Sequence, residues 1–256
     1  MGLIRTVAER LSRKRVLLRH LPADFGSAPI HVSPDASLSL WNPRLNSDLF
    51  DLARQFVHPG DTIWDVGANV GLFTIAAAQK AGPNGSVLAI EPDPWLAALL
   101  QRTVDAQPPT AASIRILPVA ISHQIGVETL HIAKRNRASN HLASIPEHSQ
   151  AGSTRETLEV QCITLDSLLN QTPPPTLVKI DVEGSELDLF AGSHRLLSEI
   201  RPILMCESQH RNRPAVTVVL NRYRYKLYDW SSSPPVEVQT AAFNTLAIPL
   251  PSPIQS

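Results

Sequence analysis

Apolar residues in this chain come in short runs that stop at glycines or carboxylates, and between the runs the spacing shifts to that of helices. Thr62–Val66 is one such run, closed by Gly67-Ala68-Asn69-Val70-Gly71 and followed by Leu72, Phe73, Ile75 and Ala76 on a helical pattern. Ser86–Ile90 is a second run, ending at Glu91, with a helix over Pro94–Val104 behind it. Residues 113–119, 127–132 and 158–163 read as further strands, and Thr164 caps a short helix that the prolines at 173–175 stop. Residues 177–182 form another buried run, carrying Asp181, and a helix follows over 185–200. Its inner face takes Leu187, Phe190, Ala191 and Leu197, with His194 on the same stripe as a packed core residue. Residues 202–206 make a strand ending at Glu207, and residues 223–228 and 243–248 form an antiparallel pair. With a helix over 49–56 in front, this alternation predicts an α/β fold: a doubly wound, mostly parallel, Rossmann-like sheet with an antiparallel closing pair.

The chain divides into an extension over 1–48, a main domain over 49–250 and a proline-marked tail over 251–256. In the extension, Leu3, Ile4, Val7, Leu11, Leu17 and Leu18 recur at near-helical spacing, opposite six basic residues between Arg5 and Arg19. Such a basic helix packs on its own domain or lies on an anionic membrane surface. Residues 30–40 read as a short hairpin turning at Ser33-Pro34-Asp35-Ala36. Residues 134–153 are polar and lack periodicity, which suggests an acceptor lid or a solvated loop, with Ser139 and Asn140 as its hydrogen-bonding residues.

The turn after the first strand separates two ligand classes. A dinucleotide site wants Gly-x-Gly-x-x-Gly, so that pyrophosphate can lie on backbone N–H groups at the helix start. Here Asn69 takes the second glycine position and Leu72 the third. What remains suits a nucleoside ligand without phosphate, such as S-adenosylmethionine, with Glu91 accepting the two ribose hydroxyls. Ligands of open parallel sheets bind beyond the carboxyl ends of the strands, and four strands deliver acids there: Asp65, Glu91, Asp181 with Glu183, and Glu207. Asp65 is placed to orient the glycine turn or to reach the ligand's ammonium through water. Asp181 and Glu207 lie where a transferred group would meet its acceptor.

Composition narrows the partners. Lys plus Arg and Asp plus Glu are 23 each, so no global field draws nucleic acid. Cys162 and Cys206, both inside apolar runs, read as two buried thiols of a reducing compartment. No apolar run approaches the roughly 20 residues of a membrane helix. The expectation is a cytoplasmic protein with a small-molecule acceptor, touching membrane at most peripherally through its basic N-terminus.

Asp65-Val66-Gly67-Ala68-Asn69-Val70-Gly71-Leu72-Phe73, Glu91-Pro92-Asp93-Pro94, Thr164-Leu165-Asp166 and, above all, Lys179-Ile180-Asp181-Val182-Glu183-Gly184-Ser185-Glu186 resemble the FkbM-type methyltransferases. The resemblance runs from about Asp61 to His210 and includes the strand that closes on Glu207 and then His210. It implies the class I methyltransferase fold, S-adenosylmethionine as cofactor, and O-methylation of a hydroxyl on a sugar, glycolipid or secondary metabolite. The cofactor set is then Asp65, Gly67, Ala68, Asn69, Gly71, Glu91, Pro92, Ala120, Asp181 and Glu183. Asp181 is the first candidate for catalytic base, with Glu207 and His210 next. A divalent ion such as Mg²⁺, if used, would sit on Asp181 and Glu207. Two rival readings keep the fold: a nicotinamide-dependent oxidoreductase, against which the missing glycines argue, and a non-catalytic membrane-associated binding module.

Overall fold

The computed structural model describes residues 15–36, 47–134, 136–145 and 153–251. It opens on an antiparallel hairpin, β1 (Leu17–His20) with β2 (Pro29–Val32), turned by a short 3₁₀ segment and the left-handed Gly26. This corrects two expectations. The basic stretch is a strand from Leu17 onward, while its residues 1–14 lie outside the described part. The hairpin turns at residues 23–26, not at Ser33–Ala36, which instead follows β2; Gly26, with φ of 64°, supplies the reversal that the sequence reading missed.

Next come α1 (Ser47–Phe56), β3 (Thr62–Val66), α2 (Leu72–Ala81), β4 (Ser86–Ile90), α3 (Pro94–Val104) and β5 (Ser113–Leu117). Helix α3 starts where the sequence says it should: Asp93 accepts the Trp95 N–H at 2.9 Å and Pro94 occupies the first turn. β6 (Ala120–Ile121), β7 (Gly126–Ala133), β8 (His141–Leu142) and β9 (Thr154–Ile163) do not join the parallel sheet. They form a separate four-stranded sheet in the order β6-β9-β7-β8. After α4 (Leu165–Leu168) come β10 (Leu177–Ile180), α5 (Glu186–Ala191), β11 (Ile203–Glu207), α6 (Arg213–Arg222), β12 (Tyr225–Asp229), β13 (Val236–Glu237) and β14 (Asn244–Pro249).

The main sheet has eight strands in the order β13-β12-β14-β11-β10-β3-β4-β5, with β11, β10, β3, β4 and β5 parallel and the other three antiparallel. The doubly wound sheet with its antiparallel closing pair, β12 and β14, is thus as the sequence implied. From β3 the chain winds outward through β4 and β5, then returns to β10 on the other side. The strand order therefore reverses between β3 and β10, and a crevice opens at their carboxyl ends. Period-two alternation assigns the two faces. Ile63, Val87 and Leu177 pack under α1, α2 and the N-terminal hairpin, while Trp64, Leu88 and Val178 pack under α4, α5 and α6. Helix α2 is apolar nearly all round and is covered on both sides.

The helix expected over 185–200 is broken. α5 stops at Ala191, and a π-type turn runs over Leu196–Ile200. At Gly192 a side chain would lie 2.6 Å from the Ser122 carbonyl, so the backbone passes there too tightly for a continuous helix surface. Asp166 then caps the second piece, accepting the Arg195 and Leu196 N–H groups at 2.8 Å each. Ala191 ends α5 on its exposed side, and the helical phase is lost across the break that follows, so His194 is exposed rather than buried and meets the Tyr223 ring edge-on. Cys162 and Cys206 are buried free thiols, as expected. No helix among the described residues is long and apolar enough to cross a membrane.

Candidate active site

The crevice at the strand-order reversal is lined by the ends of β3, β4 and β10, by the loop after β5, and by residues 137–142 from the second sheet. It is an open cleft of about 690 Å³. Of the cofactor residues expected from sequence, Gly67, Asn69, Glu91, Pro92, Ala120, Asp181 and Glu183 line it. Ala68, Gly71 and Asp65 stand behind it and shape it.

Gly67 has to be glycine. Its φ is 76°, and a Cβ there would fall 1.7 Å from the Asp181 carbonyl oxygen. That contact brings the end of β10 against the turn after β3. Beyond it the Gly67 and Ala68 N–H groups both donate to the Ile90 carbonyl, at 2.9 and 3.0 Å, which ties the turn to β4. Gly71, with φ of 87°, leaves no room for a side chain beside Leu100 of α3.

Glu91 is buried, and its two oxygens accept the Asn69 and Asp93 N–H groups at 2.8 and 2.9 Å. It therefore clamps the glycine turn to the start of α3 before any ligand arrives. Burial pushes its carboxyl up to about 7, against the pull of those two N–H groups. Asp65 is fully buried and does not reach the cleft. It accepts the Thr74 hydroxyl at 2.6 Å and lies 3.3 Å from the Lys179 ammonium. Of the two roles expected for Asp65, the structure supports orientation of the loop.

Lys179 does that orienting, and the sequence reading gave it no role. Its ammonium donates to the Gly67 carbonyl at 2.9 Å and pairs with Asp65 and with Asp181, the latter at 3.5 Å. These neighbouring carboxylates raise its affinity for the proton despite burial. The signal was present: a lysine in the middle of the apolar run of β10 has to carry a buried partner.

Asp181 stands at the junction of two clefts. The second, about 530 Å³, opens on the other side of β10 and is lined by Asp48, Leu49, Lys179, Ile180, Asp181, Met205, Glu207 and Asn244. Asp181, Glu183 and Glu207 place carboxylate oxygens within 4.8 Å of one another. Burial and the Asp181 charge push Glu207 up to about 8, and the same two causes raise Glu183 well above the usual carboxylate range. Glu183 also holds left-handed backbone, with φ of 50°. As a donor set, three hard carboxylate oxygens fit a divalent cation, and they include the expected Asp181 and Glu207.

His210 is not brought in: it is exposed in the turn after β11 and lines neither cleft. The stretch read as a polar loop is, in its described part, a wall of the first cleft. Arg137 is tied to Asp93, to Asp35 at 3.4 Å and to Glu156 at 3.4 Å, and it covers the Trp95 ring. Asn140 donates to Asp93 and accepts the Ala133 N–H, both at 2.9 Å, and Ser139 is buried. These groups are committed inside the protein rather than offered to an acceptor. His148 and Arg135 lie outside the described residues.

Comparison with known proteins identifies relatives of this chain. The chain matches the methyltransferase FkbM domain over residues 65–229. It is 27% identical over 164 residues to the hexuronic acid methyltransferase AglP of Haloferax volcanii, covering 63% of this chain and 62% of that protein. It is 28% identical over 171 residues to methyltransferase 1 of Beauveria bassiana, covering 59% and 67%. Among solved structures, an FkbM methyltransferase of Methylobacillus flagellatus KT superposes with a TM-score of 0.48 at 15% identity, over 96% of this chain and 59% of that one. With the family domain spanning most of the chain and starting at the Asp65 that anchors the glycine turn, this protein belongs to the FkbM methyltransferase family.

Proposed function

We infer that this protein is an S-adenosylmethionine-dependent O-methyltransferase acting on a hydroxyl of a sugar-like acceptor. The observation that carries the reading is the position of Asp181, which lines both the nucleoside-type cleft and the cleft beside Glu207. The first cleft fits the cofactor by the chemistry of its lining: a buried carboxylate for the ribose, apolar walls from Val119, Ile121, Leu130 and Leu142 for the base, and carboxylates for the ammonium end. When bound there, S-adenosylmethionine supplies an activated methyl group: the S–C bond breaks, an O–C bond forms, and the hydroxyl proton has to leave.

The chain's own residues do the rest. Glu91 accepts hydrogen bonds from ribose hydroxyls on the lone pairs its two backbone donors leave free. Asp181 receives the acceptor's proton, and Lys179 holds the Asp181 carboxylate in position through their ion pair. Alignment of the hydroxyl oxygen is a matter of positioning, which two clefts meeting at one residue provide. One observation favours a second use of the same groups, the closeness of Asp181, Glu183 and Glu207: together they would hold a divalent ion, whose charge would lower the hydroxyl pKa. The Haloferax relative is named for a hexuronic acid, and that name supports a hydroxyl-rich acceptor here.

Calorimetry with S-adenosylmethionine, with NADH as control, tests the reading. Binding of the first but not the second, weakened at least tenfold in Glu91→Ala, is the expected result. Binding of NADH alone would move the protein to the oxidoreductases, and binding of neither would leave a fold without this chemistry.

A further inference from the structure

The second cleft does not end at Asp48. A third opening, about 570 Å³, is lined by Asp48 again, together with Ser47, Asp51, Gln55, Trp230 and the serines at 231–233. Trp230 joins the two openings physically. Its indole N–H donates to the Asp48 carbonyl at 3.2 Å, and its backbone N–H donates to the Asn244 carbonyl at 2.9 Å. Two residues that line the second cleft are thus held by one that lines the third. The first and second openings share Asp181, and the second and third share Asp48.

Among the described residues, the lining of the second and third openings is rich in carboxyl groups: Asp181, Asp48 and Asp51, with Glu207 holding its proton up to about 8. The cation on that lining, Lys179, is already paired with Asp65 and Asp181. Asp51, farther out, is paired with Arg54 at 2.7 Å. Carboxylates, an amide and serine hydroxyls together suit a ligand rich in hydroxyl donors. A carboxylate on the ligand would add like charge to a partly desolvated acidic cleft.

We propose that the opening lined by Trp230 is a second acceptor subsite, so that the openings from Asp181 outward receive an uncharged acceptor of more than one sugar unit. This rests on the methyltransferase reading only in placing the reacting hydroxyl at Asp181; the subsite itself is a binding property of these openings. The innermost unit sits in the opening lined by Asp181, Glu207 and Asn244, and the following unit sits over the serines and Gln55.

Saturation-transfer NMR and titration of the full chain, with S-adenosylhomocysteine present and absent, provide the test. The probes are glucose, maltotetraose, cellotetraose and tetragalacturonate. At least one neutral tetrasaccharide is expected to bind ten times or more tighter than glucose, and tetragalacturonate weaker than either neutral tetramer. In Ser232→Trp, and independently in Gln55→Trp, which fill the outer subsite from two different elements, the loop after β12 and helix α1, the tetramer should fall to the affinity of glucose. S-adenosylmethionine affinity should stay at the wild-type value in both variants. Equal binding of glucose and the tetramers, preference for tetragalacturonate, no binding of any neutral probe, or a tetramer preference that survives both variants overturns the proposal. Loss of S-adenosylmethionine binding in the wild type with the tetramer preference intact would instead overturn the methyltransferase reading and leave the subsite standing.

Discussion

On the two sides of Asp181 the protein treats charge in opposite ways. Toward the glycine turn, the charged groups are matched by the chain itself: Glu91 by two backbone N–H groups, Lys179 by Asp65 and the Gly67 carbonyl, Arg137 by Asp93 and Asp35. Toward Glu207, carboxylates crowd together, and burial with the Asp181 charge makes Glu183 and Glu207 hold their protons more tightly. The first side is finished before its ligand binds, which spares the reorganisation that binding would otherwise cost. The second side is finished only when a proton, a cation or hydroxyl donors arrive. A donor site common to a family and an acceptor site particular to one member would be expected to differ in this way.

The largest expected effect comes at the junction. Asp181→Asn keeps the shape and removes the proton acceptor, so single-turnover methyl transfer should fall by about 10²- to 10⁴-fold. S-adenosylmethionine affinity should change by less than about tenfold, since Asp181 is one of several groups around that cleft. If transfer survives at near wild-type rate, the base lies elsewhere. If EDTA then abolishes transfer and Mg²⁺ restores it, the carboxylates act as metal ligands.

The second effect tests whether the finished side is self-sufficient. Lys179→Met leaves Asp65 buried with only the Thr74 hydroxyl for company, and removing one partner of a buried ion pair costs about 3–5 kcal/mol. Urea unfolding should show that loss. The double variant Lys179→Met with Asp65→Leu should recover much of it, because no lone charge stays buried. A double variant as unstable as the single one would mean that the Lys179 contact to the Gly67 carbonyl, not the charge pair, holds the turn.

How far the sequence disclosed these two sides differs as much as their electrostatics. Gly67, Asn69 and Glu91 were legible because their geometry is local: one turn, one strand end and one ligand class that fits them. Asp181 was legible from the buried run it terminates. Asp48 and Asn244 were not, since α1 and β14 bring them to β11 from far apart in the chain, and no spacing records that. Residues 127–132 and 158–163 showed as strands, but not that they pair with each other in a separate sheet, because partner choice is set by register and packing rather than by periodicity. Helix α6 was missed altogether: Arg213-Pro214 opens it and Val216, Val218 and Val219 are β-branched, so its local preference points away from helix. His194 and His210 failed for one reason, that a residue's helical phase or distance from a motif says little once Gly192 or the turn after β11 redirects the chain.

A smaller effect belongs to the wall that residues 137–142 build. Asn140→Ala leaves the Ala133 N–H without its acceptor and takes one donor from buried Asp93, a loss of about 1–3 kcal/mol. Thermal unfolding should show the shift, and calorimetry should show S-adenosylmethionine binding weakened severalfold. Unchanged affinity would mean that this wall supports the fold without shaping the cleft.

The smallest effect is a proton. Glu91 titrates near 7 when folded against 4.5 for an ordinary glutamate, so between those values the folded protein holds a proton that the unfolded chain has lost. Stability from this group therefore declines as pH rises from about 4.5 to about 7 and levels off above, the reverse of a salt-bridged carboxylate. Ribose hydroxyls donate most strongly to the ionised carboxylate, so cofactor binding pulls its pKa down again. At pH 6 binding should release up to about one proton, at pH 8.5 almost none, and affinity should rise between those values. Calorimetry in buffers of different ionisation heat measures the release directly. Glu91→Gln has no proton to give, so its affinity should be weaker and its release near pH 6 absent. Glu207 also titrates above the usual range, at about 8, but it lies in the acceptor cleft. If the release persists in Glu91→Gln and centres near pH 8, the cofactor is being felt across Asp181, and the two sides of the site are coupled rather than separate.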